Sequence, residues 1–193
     1  MRIFLVRHPA PTGADGLCYG QLEVSVDPRV TEAAEASIRP AIPENLLADA
    51  HICSSPSQRC LGLARLLSPL SEPTIYEDLH EMNFGAWQGR RWSEIDRLQL
   101  DAWAADIWNY RPGGGESAES VAIRWRRWLN TMQQNATGNV IAITHAGVIR
   151  VALARSGPSL GRSEVTETIP FASVHELLID RSYGASQLFT PAV

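Results

Sequence analysis

The 193-residue sequence is short of several things, and each shortage excludes something. No apolar run approaches the roughly 18 residues needed to cross a bilayer. Strand-like residues begin at position 2, which leaves no room for a secretory leader, so no membrane partner is expected. Basic excess is absent: formal net charge is −4 and the pI is about 5.7, whereas a general nucleic-acid binder carries a basic face. Cysteine is scarce. Cys18, Cys53 and Cys60 are odd in number and match no metal spacing, so the expectation is reduced thiols in the cytoplasm. The histidines are isolated, with no H-E-x-x-H pair and no carboxylates at ligand spacing. No metal and no other cofactor is therefore expected. A Walker-type loop is also missing: "PGGGES" at 112–117 lacks the following lysine and does not follow a buried strand. Its glycines, 113–115, read as a flexible connector ahead of a long helix, with Glu116 or Ser117 near that helix's start. Repeats, low-complexity segments and linkers are not found.

What remains is an ordinary globular composition, 45% hydrophobic and 20% charged, long enough to bury one core. Residues 3–6 read as a buried strand and 29–37 as a helix stopped by Pro40. Residues 50–53 form a second strand. Ser54, Ser55 and Pro56 then open a helix that runs to Pro69. Residues 74–76 are strand-like. The segment 82–113, rich in Trp, Gly and charge, reads as an inserted lobe with one or two helices. Glu116 to Gln133 is the longest amphipathic helix, with Val121, Trp125, Trp128 and Met132 at helical spacing and its tryptophans assigned to the core. Residues 140–144 form a buried strand that leads directly into a helix; "SVHELLID" and "ASQLFT" read as late strands. This alternation predicts a three-layer α/β/α sandwich with a mostly parallel central sheet. It forms one domain over 1–193, with a helical insertion near 82–113.

Three of these strands end in chemically loaded residues. The first ends in Arg7 and His8. The second ends in Ser54 and Ser55, with Arg59 on the first turn of the helix beyond. The strand 140–144 ends in Thr144 and His145, with Ala146 and Gly147 opening a helix. Open parallel sheets bind ligands outside the carboxyl ends of their strands. The pattern therefore gathers two arginines, two histidines and a helix N-terminus at one rim. Taken singly, each has an ordinary reading: a hydrogen-bonded loop histidine, or a snorkelling surface arginine. Their coincidence points to a site. Arginine forks match phosphate oxygens, and helix N-terminal amides accept anions.

In chain order, "LVRHP", "SSPSQR", "LHEMNFGAWQG", "PGGGES" and "THAGVIR" resemble the signatures of the histidine phosphatase superfamily, with its phosphoglycerate-mutase-like fold, from residue 2 to about 150. The resemblance implies that His8 is the nucleophile and forms a phosphohistidine. Arg7, Arg59 and His145 would bind the phosphoryl oxygens, together with the backbone N–H of Ala146. Glu81 would donate the proton to the leaving group. Such chemistry needs an unprotonated nitrogen on His8. Two arginines and a protonated His145 are expected to neutralise the dianion. Glu81 must hold a proton when the alkoxide leaves and then serve as base toward water; adjacent His80 is its rival.

"RHPAP" followed by "CYGQ" resembles the alpha-ribazole phosphatase branch. Tyr19 and Gln21 become candidate substrate contacts, and Glu23 takes the branch's acidic position. Departures are visible. Pro9 replaces the usual glycine, Ala14 stands where an asparagine is often found, and the mutase branch's basic segment after the acid is missing; Arg90 and Arg91 are the cations left to replace it. The implied function is a phosphomonoesterase that removes the 5′-phosphate of alpha-ribazole phosphate in cobalamin assembly. Alternatives are a phosphoglycerate mutase, a broad sugar-phosphate phosphatase, or a non-catalytic phosphate-binding module. The last is disfavoured because both His8 and Glu81 are present. The expected partner is a small-molecule phosphate monoester, with a homodimer left open. Residues 156–193 carry no assignable motif, although Phe171, like Trp87, reads as either core or the lining of an aromatic pocket.

Overall fold

The first strand, β1 (Arg2–Arg7), has no polar face. Ile3 and Leu5 join one hydrophobic cluster and Phe4 and Val6 another, and all four are buried. A strand of that kind must be covered on both sides. The computed structural model, which describes residues 1–156 and 168–179, meets this demand with a three-layer arrangement. With β2 (His51–Ser54), β3 (Thr74–Ile75), β4 (Val140–Thr144) and β5 (Val174–Leu178), the sheet order is β3-β2-β4-β1-β5. β1, β2, β3 and β4 run parallel, whereas β5 pairs antiparallel with β1. The register sets Arg7 beside Thr144 and Ser54 beside Ile143, so three strand ends share one edge.

Helices α1 (Pro28–Ile38) and α3 (Gln58–Leu67) cover Phe4, Val6, Ile141 and Ile143. On the opposite face α5 (Ala118–Asn135) and α6 (Ala146–Ser156) cover Ile3, Leu5, Val140 and Ala142. The tryptophans of α5 are core, as their spacing predicts: Trp125 and Trp128 are fully buried and stack with centroids 4.9 Å apart. Truncating either one costs about 3–5 kcal/mol. A single turn, α2 (Glu44–Leu47), precedes β2. Among the described residues no helix is long and apolar enough to cross a membrane.

Two expectations need adjustment, the start of the helix after β2 and the glycine connector. The helix after β2 begins at Gln58, with Ser57 as its N-cap residue, later than the Ser-Ser-Pro sequence suggests. The backbone of Ser54 and Ser55 is still engaged with the sheet: Tyr76 N donates to Ser54 O, and Ser55 N donates to Ile143 O. The segment 82–113 holds one α-helix, α4 (Arg97–Ala105), among short 3-10 turns. A small core of Cys18, Trp87 and Ile95, packed on by Phe84, Trp92 and Trp103, anchors it.

Glycines 113–115 are not a flexible connector; they are clasped against residues 83–87. A Cβ on Gly85 would lie 2.2 Å from Gly113 O, and one on Gly115 would lie 2.0 Å from Asn83 O. Gly113 also has a φ of 60°, which disfavours a side chain independently. "SVHELLID" contains β5, while "ASQLFT" lies outside the described residues.

Candidate active site

The rim formed by β1, β2 and β4 carries the site. His8 continues β1 by donating its amide to Thr144 O (3.0 Å), while Ser55 N bonds Ile143 O (2.9 Å). His8 and His145 thereby face each other, with ring centroids 5.1 Å apart.

His8 is 1% exposed, and its Nδ1 lies 2.7 Å from Pro9 O. A carbonyl can only accept, so Nδ1 carries the hydrogen and the lone pair is on Nε2. Burial, then the positive charges of Arg59 and Arg7, lowers its pKa to about 3, against the bond to Pro9. The imidazole is therefore neutral at ordinary pH, with its second nitrogen available as a nucleophile.

Two arginines flank it. Arg59 is 2% exposed and donates from Nη1 to Leu22 O (2.9 Å) and from Nη2 to Gly20 O (2.6 Å). Arg7 donates from Nη1 to Ile169 O and lies against the Phe171 ring, with Cζ 3.6 Å from its centroid. Among the described residues neither buried Nε has an acceptor, so each guanidinium keeps a donor for an anion. Phe171 is 5.6 Å from the His8 ring centroid to centroid, and so caps both residues. A turn in which Ala172 takes a φ of 56° places it there. Trp87 is core, at 1% exposure.

His145 lies beside the His8 ring. It is fully buried, its Nε2 lies 2.7 Å from Ser55 Oγ, and Cys60 Sγ is 3.5 Å away. Burial first, then His8, Arg59, His80 and Arg124, holds its pKa well below the usual imidazole value. No carboxylate among those influences offsets the desolvation, so the neutral imidazole is favoured.

Glu81 is held at the start of α6. Its Oε1 accepts Met82 N (2.8 Å) and its Oε2 accepts Gly147 N (3.3 Å). A Cβ on Gly147 would lie 2.3 Å from Oε1, so a side chain there would push the carboxyl group aside. The residue before Gly147, Ala146, opens α6, and its backbone N–H has no intrahelical acceptor. Arg124 donates to both Glu116 oxygens (3.0 and 3.2 Å) and to Asp78 O (2.7 Å). Glu116 in turn accepts Asn83 N (2.9 Å), and Thr144 Oγ1 donates to Leu79 O (2.7 Å). The segment carrying Glu81 is thus tied on both sides.

Gln21 belongs to this framework. Its side chain donates to Glu81 O (2.9 Å), which ties it to Glu81's backbone. Tyr19 stands between the arginines: Arg59 Cζ is 5.2 Å from its ring, and the ring edge meets His8 at 6.4 Å. Burial raises the phenol's pKa, against the pull of Arg7 and Arg59. His80 lies 6.2 Å from His145, and burial lowers its pKa, so it has little proton to donate. Glu23 accepts Gln58 N (3.1 Å) at the start of α3. Arg90 and Arg91 bond the backbone of Glu94 and Asp15.

Sequence reasoning did not assign Ser55, Gly147 or the Glu116–Arg124 pair. One signal was readable: Arg124 follows Val121 by three residues on the buried side of α5, a charge on an apolar face.

Residues 3–189 match the sequence signature of the histidine phosphatase superfamily (branch 1). The chain is 26% identical over 171 residues to phosphoglycerate mutase-like protein 4 of Arabidopsis thaliana, covering 84% of this chain and 74% of that one. It is also 26% identical over 162 residues to the adenosylcobalamin/alpha-ribazole phosphatase of Salmonella typhimurium, covering 80% and 79%. Among solved structures it resembles a mycobacterial glucosyl-3-phosphoglycerate phosphatase (TM-score 0.78, 22% identity, 91% of each chain). It also resembles the alpha-ribazole phosphatase of Shigella flexneri (TM-score 0.77, 23% identity, 95% and 93%).

Proposed function

The chain belongs to the histidine phosphatase superfamily and is a phosphatase for phosphate monoesters; from that premise we propose that it works through a phosphohistidine on His8. The observation that carries this reading is the bond from His8 Nδ1 to Pro9 O, which leaves Nε2 unprotonated beside Arg7 and Arg59. Nε2 attacks phosphorus. The ester P–O bond breaks, and the departing oxygen takes the proton of Glu81. Glu81, now a carboxylate, removes a proton from the water that attacks the phosphohistidine, and inorganic phosphate leaves with His8 restored. Arg7, Arg59, His145 and the Ala146 amide hold the phosphoryl oxygens as charge moves onto them. The incoming dianion supplies a counter-charge for His145 and so favours its protonation on binding.

We assign the substrate to alpha-ribazole 5′-phosphate or a close analogue, with Tyr19 as a contact. Support comes from the "RHPAP…CYGQ" pattern and from named relatives of that activity. The mutase reading has one named relative in its favour. It needs cations for a second phosphate, for which Arg90 and Arg91, each bonded to one backbone carbonyl, are the candidates. Three buried free cysteines fit a reducing compartment.

Quench-flow trapping tests the mechanism. The wild type should yield an acid-labile phosphoryl adduct, and His8→Ala should lose both the adduct and turnover. An adduct on another residue would overturn the assignment. A panel of alpha-ribazole phosphate, 3-phosphoglycerate and ribose 5-phosphate tests the substrate: preference for 3-phosphoglycerate with phosphate transfer and no release would establish the mutase.

A further inference from the structure

The two arginines beside His8 are held in different ways. Arg59 is fixed by two carbonyls, Gly20 O and Leu22 O. Arg7 has one, Ile169 O, with the Tyr19 phenol beside it and the ring of Phe171 against its flat face. We propose that Phe171 is a positioning residue for phosphoryl binding: its ring aims the Arg7 guanidinium at the phosphoryl oxygens without neutralising it. The proposal rests on the reading that Arg7 binds those oxygens.

Three observations support it. First, Phe171 is not a core residue. It is 40% exposed and joins none of the hydrophobic clusters of the described residues. Its inner face instead meets the site, 3.6 Å from Arg7 Cζ and 5.6 Å from the His8 ring, centroid to centroid. Second, the backbone leaves its ordinary range to put the ring there. Ala172, at a φ of 56°, is the one non-glycine residue with positive φ among the described residues. Such a conformation persists where its surroundings over-determine it, and this turn is pinned to the residues it covers. Ala172 N donates to His8 O (3.4 Å), Arg7 N donates to Ser173 O (3.0 Å), and Ser173 Oγ donates to Pro170 O (2.7 Å). Third, the kind of contact suits an anion site. Among the described residues no carboxylate forms an ion pair with Arg7. A carboxylate would fix the guanidinium but take up its charge and two of its donors. The negative face of a phenyl ring attracts the cation from above and leaves the in-plane N–H groups for oxygen. The buried Nε of Arg7 is one such group, with no acceptor among the described residues.

Orthovanadate, a phosphate mimic, tests the idea without turnover, its dissociation constant being measured by calorimetry. Phe171→Leu keeps apolar bulk but loses the aromatic face. It should weaken binding by about 2- to 30-fold, the range of a cation–π contact. Phe171→Tyr, which keeps the face, should stay within about 2-fold of the wild type. Mono-, di- and trifluorinated phenylalanines at this position keep the shape of the ring and withdraw its electrons step by step, so binding should weaken in that order. Neither a mere hydrophobic cover nor a folding defect produces that graded loss. Equal binding across the fluorinated series, with the wild type still binding vanadate, overturns the role of the ring and leaves the phosphate clamp standing. Binding by Phe171→Leu as tight as the wild type also overturns it. A wild type that binds no vanadate overturns the clamp and the role of the ring with it.

Discussion

A single missing methyl group fixes where the acid sits. Gly147 donates its amide to Glu81 Oε2 while leaving the space that a Cβ would take 2.3 Å from Oε1. Gly147→Ala should therefore displace the carboxyl group without touching His8. Hydrolysis of alkyl phosphates should fall by about 10²-fold or more, since an alkoxide needs the proton. The burst of p-nitrophenol from p-nitrophenyl phosphate, whose leaving group needs little help, should stay within about 3-fold of wild type. A parallel loss of burst and turnover would place the damage at the phosphate clamp instead. Residue identity alone conceals some of this. Sequence marks His145 as a site histidine, but its charge depends on desolvation and on neighbours brought in by four other segments. Gln21 is likewise legible as polar and near the site, yet its amide serves the Glu81 backbone.

At the scale of elements, the support of Glu81 comes from α5. Arg124 links Asp78 O to Glu116, and Glu116 links on to Asn83 N, so a nearly buried ion pair spans the segment 78–83. Removing one partner leaves the other charge desolvated, at a cost of about 3–5 kcal/mol. Arg124→Met should lower the denaturant midpoint accordingly. It should also reduce kcat on alkyl esters more than on p-nitrophenyl phosphate, a selectivity that a purely structural role would not produce. The double variant Arg124→Met, Glu116→Met should recover much of the stability but not the selectivity. Strands were readable because β1 and β4 are short apolar runs bounded by loaded residues, and parallel pairing follows from the alternation with helices. β5 was readable as a strand but not as the antiparallel edge, since its half-exposed pattern carries no direction. The misread connector has a plain cause: glycines that permit motion and glycines that permit backbone contact are the same letters.

For the whole molecule, three histidines are enclosed uncharged. Burial, the main cause in each, keeps His8, His80 and His145 below the ordinary value of 6.5, with His8 at about 3. The unfolded chain takes up these protons below pH 6.5 and the folded chain does not. Their stabilisation is thus fully present above pH 6.5 and is lost as pH falls. For His8 the loss runs at about 1.4 kcal/mol per pH unit down to its folded value. Urea midpoints measured from pH 7 to pH 5 should decline, and His8→Gln should make the decline shallower. A flat profile over that range would mean that the folded protein binds the protons after all.

Glu116 N bonds Asn83 O at 2.7 Å, so the segment between them leaves the body and returns to it at the same place. Its middle is fastened as well: Cys18 N bonds Arg90 O, Gly89 N bonds Cys18 O and Trp92 N bonds Gly16 O. A side chain on Gly85 or Gly115 would therefore pry the two ends apart while the middle stays held. The disturbance would fall on the backbone at Asn83 and Glu116, two residues from the acid and at the start of the helix that supports it.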